Sequence, residues 1–114
     1  MIEKIGKRLT EIISPIVPVN LSEAETESYP YAVYDYIPEP KVTKDGVVGY
    51  RAETTLSIMS PSYDEAHGIF EQIASAIETG MRSAEMYANI LNWSPECEDG
   101  IWSINISLTI NQNQ

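Results

Sequence analysis

From Trp102 to Ile110 every second residue is large and apolar: Trp102, Ile104, Ile106, Leu108 and Ile110 are separated by Ser103, Asn105, Ser107 and Thr109. A period of two places alternate side chains on opposite faces of an extended strand. One face of that strand has to be covered. The other is neutral and polar, suited to solvent or to another protein surface. A chain holding this segment must therefore build a sheet with one apolar face and supply apolar stripes to cover it.

Two stripes are present. Ile2, Ile5, Leu9, Ile12 and Ile13 recur at three- and four-residue steps, with Glu3, Lys4, Lys7, Arg8 and Glu11 between them, and Ser14-Pro15 ends the run. This is a helix with one apolar side, and its isoleucines make it dependent on a partner surface. The second stripe is Ala66, Ile69, Phe70, Ile73, Ala74 and Ile77. It opens on Ser62-Tyr63-Asp64-Glu65, which has the pattern of a capping box, and Gly80 is the expected stop.

The remaining sheet is read from three further segments. Tyr29 to Ile37 is dense in aromatic and β-branched residues, and Val47 to Met59 alternates Tyr50, Ala52, Thr54, Leu56 and Ile58 against Arg51, Glu53, Thr55 and Ser57. Residues Ala84 to Trp93 suit a helix or a strand, with Asn89, Asn92 and the aromatics favouring a strand. Asp45-Gly46 marks a hairpin turn and Glu98-Asp99-Gly100 a second turn, which would hold Cys97. Counting back from Asp45-Gly46 without a slip would set Asp35 opposite Leu56, so Pro38 and Pro40 are expected to bulge or detach the arm between them and Val48. Ile16 to Val19 reads as a short edge piece, residues 20–28 as an acidic exposed loop, and residues 111–114 as a frayed tail. The expected fold is one α+β domain over residues 1–114. It has an antiparallel sheet of about four strands, two helices packed on one face, and a protruding hairpin arm at residues 38–49.

Charge and inventory narrow the function. Seventeen acids against seven bases give a net charge of −10, and from Ala52 onward Arg82 is the single base. Such a chain is a poor ligand for phosphate backbones, and no specific nucleic-acid binding is expected. Cys97 is the only cysteine, which excludes an intrachain disulfide. A thiol among acids is not activated as a nucleophile. His67 is the only histidine and is expected on the wet side of its helix. No catalytic, cofactor-binding or metal-binding set is visible, and the Asn-x-Ser triplets at Asn20, Asn92 and Asn105 are read as chance in a chain kept in a cytoplasm. Two features ask for more than a core. Tyr29, Tyr31, Tyr34 and Tyr36 crowd one strand, and the polar face of the sheet carries Ser, Thr and Asn in place of charge. Both suit packing against another protein as well as they suit core and solvent.

The Tyr29-Pro30-Tyr31-Ala32-Val33-Tyr34 strand, the long hairpin after it, the Ser62-Tyr63-Asp64-Glu65-Ala66 helix start and the closing strand Trp102 to Ile110 together resemble the tail-completion, or tail-terminator, proteins of tailed phages. The resemblance implies a structural virion or prophage protein without enzymatic activity or cofactor, found in the virion and in the host bacterial cytoplasm. It implies a homo-oligomeric ring that closes the tail tube and joins it to the head connector, with tail-tube and connector proteins as partners. On that reading Lys41, Val42, Lys44, Val47 and Val48 of the arm, with Tyr34 and Tyr36, are the expected contact residues. A stand-alone binding module and a small enzyme are the alternatives. Neither explains a protruding arm.

Overall fold

The computed structural model describes residues 3–21, 29–83 and 85–113. The elements run α1 (Glu3–Ile13), β1 (Val19–Leu21), β2 (Tyr31–Thr43), β3 (Gly46–Ser60), α2 (Tyr63–Gly80), β4 (Met86–Glu98) and β5 (Ile101–Asn113). The sheet has the order β1-β2-β3-β5-β4. Its four long strands are antiparallel, and β1 adds a short parallel pairing outside β2 through Val19↔Ala32 and Leu21↔Tyr34. This edge strand begins at the last residue of the segment expected to be extended, and the rest of the expected loop, 22–28, lies outside the described residues. Both helices lie on one face. They close a core in which Ile5, Leu9 and Ile13 of α1 and Ile73 and Ile77 of α2 meet Leu56, Ile58, Ile104, Ile106, Leu108 and Ile110. The molecule is long, 52 × 24 × 22 Å.

Glycine sets how closely the helices approach. A Cβ on Gly6 would lie 3.2 Å from the Tyr36 hydroxyl and 3.3 Å from that of Tyr34, so α1 settles onto the two rings at the one position without a side chain. Gly80 does not act as the expected left-handed stop. It is the last residue of α2 and sits under α1, where a Cβ would be 3.0 Å from Ile12 Cδ1. The end of α2 is capped instead by Arg8, whose Nε and Nη2 donate to the Gly80 carbonyl at 3.3 and 3.0 Å. Arg8→Ala removes a cation from the negative end of α2 and should lower stability by about 1 kcal/mol, read as a small shift of the urea midpoint with an unchanged m-value.

At its start α2 carries the capping serine as expected, with the Glu65 N–H donating to Ser62 Oγ at 3.3 Å. The reciprocal half is relayed. The Ser62 N–H donates to Ser60 Oγ at 3.1 Å, and that hydroxyl donates to Glu65 Oε1 at 2.7 Å. This accounts for a fully buried serine at position 60.

The prolines do not break the sheet. β2 pairs with β3 without interruption from Tyr31↔Met59 through Pro38↔Ala52 and Pro40↔Tyr50 to Lys41↔Gly49. The slip comes later: Val42 pairs with Val47, leaving Val48 as the extra residue. That one-residue bulge puts Tyr34 opposite Leu56 and Asp35 opposite Thr55, removing the implausible pairing without detaching the arm. The two Asp-Gly pairs also differ. Asp99 and Gly100 both have positive φ, 52° and 79°, as a type I′ hairpin turn requires, whereas at the other turn only Gly46 does, at 108°.

β4 and β5 exceed their expected bounds. β4 runs past Trp93 to Glu98, with Leu91 bulged between Ile90 and Asn92, and Cys97 is an exposed strand residue opposite Trp102, not a turn residue. Residues 111–113 are not frayed: they pair with Arg51, Tyr50 and Gly49 on one side, and Asn111 and Gln112 pair with Tyr87 and Met86 on the other.

Candidate interface

The surface offers three regions that the core does not use. The first is the sheet face away from the helices. Ser103, Asn105 and Ser107 are half-buried there, Thr109 is buried, and Ser57 Oγ donates to Asn105 Oδ1 at 2.7 Å. These short side chains form a low strip along β5, but the face is not free of charge as expected: Glu53 lies opposite Thr109, Arg51 opposite Asn111 and Glu96 opposite Ser103. At one end of the sheet Tyr29 stacks on Tyr31 with ring centroids 5.3 Å apart, and burial raises the pKa of the Tyr31 phenol, with the neighbouring Tyr29 adding to the effect.

The second region is the hairpin tip. Beyond Lys41↔Gly49 the hairpin has no third strand, because β5 ends its pairing with β3 at Gly49↔Asn113. Val42 is 67% exposed, and Val47 and Val48 are exposed beside it. A two-stranded ribbon with apolar side chains in water is a marginal structure on its own. Lys44 is exposed at the turn. Lys41 is engaged within its own chain, where Nζ donates to Asn113 Oδ1 at 3.1 Å and lies 5.9 Å from the centroid of the Tyr87 ring. It reaches Asn113 across β3 at Gly49, where there is no side chain to cross.

The third region is the middle of β4, where Leu91 is 60% exposed and Trp93 is exposed next to it. Trp93 packs on Phe70 at 5.0 Å between centroids and meets the edge of His67 at 5.5 Å. His67 also stacks on Tyr63 at 5.8 Å, and its Nδ1 is 3.4 Å from Glu71 Oε1. It is half-buried in an aromatic cluster, not on the wet side of α2. The spacing of α2 alone does not show this, because Trp93 arrives from a different element.

Two of the expected contact residues are committed inside the chain. Tyr34 is only 6% exposed, and its hydroxyl donates to the Gly6 carbonyl at 3.2 Å and lies 3.1 Å from Thr10 Oγ1. Tyr36 is half-buried and stacks on Tyr34 at 6.2 Å. These two tyrosines anchor α1 to the sheet, which leaves Tyr34 little surface to offer a partner. Val42, Lys44, Val47 and Val48 do lie together on the exposed tip.

One concavity, about 740 Å³, is an open depression along α2 and Ile16, lined by Gly68, Ser75 and Ala76. No group of three or more His, Cys, Asp or Glu is placed to hold a metal ion among the described residues, and no helix is long and apolar enough to cross a membrane.

No family model matches the chain, and no curated protein matches it. Solved structures do. A chain in the virion of a native gene transfer agent particle superposes with a TM-score of 0.58 at 12% identity, covering 93% of this chain and 84% of that one. A second solved chain, whose name carries no functional description, superposes with a TM-score of 0.60 at 19% identity, covering 96% and 91%. At such identities the likeness is one of fold, and it extends over nearly the whole of each chain.

Proposed function

We propose that this protein is a structural component of a phage-like particle that forms a ring at the head-proximal end of the tail tube and joins it to the head connector. The observation that carries the reading is the full-length fold likeness to a chain of a gene transfer agent virion. The surface is compatible with it. Among the exposed apolar side chains, Val42, Val47 and Val48 lie at a hairpin tip and Leu91 and Trp93 on an edge strand, where neighbours in a ring would meet. A net charge of −10 suits a channel through which DNA must pass without sticking.

In this role the tip of one copy contacts the next, a head-to-tail contact whose repetition closes a ring. The test is to replace Val42 to Val48 by a short Gly-Ser turn. The sheet ladder up to Lys41↔Gly49 is retained, so the variant is expected to fold, with melting within a few degrees of the parent. It should fail to assemble and should not complete tails in a phage or transfer-agent complementation assay. Full complementation by a folded variant would remove the joining mechanism.

A further inference from the structure

Both edges of the sheet are short of hydrogen-bond donors. The Ala32 N–H points away from β3 and donates to the Pro18 carbonyl at 2.8 Å. Strand positions two apart share a side, and the β2–β3 register is unbroken from Tyr31 to Lys41, so positions 38 and 40 face the same way. Both are proline and have no N–H to offer.

At the other edge the outward N–H groups of Met86 and Ala88 are already taken, by Ser83 Oγ and the Met81 carbonyl, each at 3.1 Å. The Asn113 N–H donates to the Glu85 carbonyl at 2.8 Å, so the odd-numbered positions of β5 face β4. Beyond the Leu91 bulge those positions pair with 92, 94, 96 and 98, which leaves 93, 95 and 97 pointing outward, and Pro95 removes the middle donor. An incoming strand needs an unbroken alternating row of donors and acceptors, and proline interrupts that row on both sides. Along the outer part of β2 and the second half of β4 the prolines therefore disfavour joining a second copy by continuing the sheet.

A contact through side chains is then favoured. Besides the separate Tyr29, Ile37 and Tyr87, the exposed apolar residues form two groups, Val42, Val47 and Val48 at the tip and Leu91 and Trp93 on β4, that cannot meet within one molecule. Leu91 lies beside the middle of β5, whereas Val42 and Val47 lie past its end, about 20 Å away along the strands at ~3.3 Å per residue. Opposite charges are available to such a contact. Lys44 stands at the tip beside Asp45, and the exposed carboxylate of Glu71 lies against His67, whose ring meets Trp93, in the half of the chain where Arg82 is the single base.

Resting on the ring reading above, we propose that the tip of one copy, through Val42, Val47 and Val48, seats on the Leu91–Trp93 bulge of the next copy, with Lys44 turned toward Glu71. The two patches are different surfaces of the same chain. The contact is therefore heterologous and propagates head to tail until it closes.

The experiment uses the full chain with Cys97→Ser, so that no native thiol remains. Val42→Cys and Leu91→Cys are introduced singly and together; both positions are exposed, and circular dichroism verifies folding. On mild oxidation the double variant should form a ladder of disulfide-linked multimers while each single variant stays monomeric, because in the proposed seat position 42 faces position 91 and like positions do not meet. Single variants that dimerise as readily as the double variant cross-links overturn the seat. The two positions are too far apart for an internal disulfide, which normally spans about 6 Å between Cα atoms. A double variant that gives no species beyond those of the single variants overturns the proposed seat. If the Gly-Ser tip variant nevertheless fails complementation, the joining role stands and only the acceptor surface is wrong. If the tip variant complements fully, both fall.

Discussion

Ile106→Asp is expected to yield no folded protein. Ile106 is 1% exposed in the inner strand β5, opposite Leu56 on one side and Trp93 on the other, beneath the helices. None of these neighbours can pair with a carboxylate. The choice is between an unpaired buried charge and a neutral acid forced into apolar packing, and either costs several kcal/mol. Total stability for a domain of this size is about 5–15 kcal/mol, so the loss is close to the whole. The contrast is Ile106→Val, which removes one methylene and should cost about 1 kcal/mol. Soluble yield and far-UV circular dichroism separate the two. A cooperative, well-folded Ile106→Asp protein would mean that this residue does not face the helices.

The second large effect is expected at a residue with no side chain. A Cβ on Gly49 would sit well inside van der Waals contact with the Gln112 carbonyl oxygen and 3.1 Å from Asn113 Cα. Both are backbone atoms of the neighbouring strand and cannot swing aside. Gly49→Ala must push β3 and β5 apart where they end, and it disturbs the Lys41–Asn113 bond that crosses there. A loss of about 3 kcal/mol is expected, which for a domain near this size lowers the melting temperature by roughly 10–20 °C. Gly68→Ala is the control. It is also in a regular element, but nothing lies within 4 Å of its Cβ position. There alanine should stabilise α2 by up to about 1 kcal/mol, because glycine is the poorer helix former. Equal melting temperatures for the two variants would contradict the close β3–β5 approach.

Elements whose pattern comes from one strand or one helix were legible in the residues. The error-free alternation of Trp102 to Ile110 and the stripe of α2 need no knowledge of their neighbours, and both formed as expected. What depended on a second element was not legible. Pro38 and Pro40 argue against a strand when read alone. They are tolerated because β2 has β3 on one side only along that stretch, and their nitrogens face outward. Asn111 to Asn113 read as a polar tail, yet all three pair with β3 and the first two also with β4, and neither strand advertises that in its sequence. The candidate interface divided in the same way. The tip valines were identifiable because a hairpin turn flanked by apolar residues exposes them wherever it lies. Tyr34 and Tyr36 were assigned to a contact surface because Gly6, the residue that lets α1 descend onto them, lies far away in the sequence. Leu91 and Trp93 were missed because a bulge has no sequence signature here.

The strand order has a consequence for how the molecule comes together in time. β2 with β3 and β4 with β5 are neighbours along the chain, and each pair closes over a tight turn. The β3–β5 seam is the exception: its shortest closure, Ser60 to Trp102, spans all of α2 and β4. Ordering so long a loop carries an entropic cost that is recovered only once Leu56 and Ile58 meet Ile106 and Ile104. The local hairpin pairings are therefore expected to close before the seam, and until it closes each hairpin has one unguarded inner edge and an uncovered apolar face. Their encounter is the expected slow step, and α2, tethered between them, is placed to bring it about. The prolines protect only the finished sheet's outer edges. During the wait the seam strands themselves are the sticky surfaces, and misassembly between copies would start there, not at the edges exposed in the native molecule.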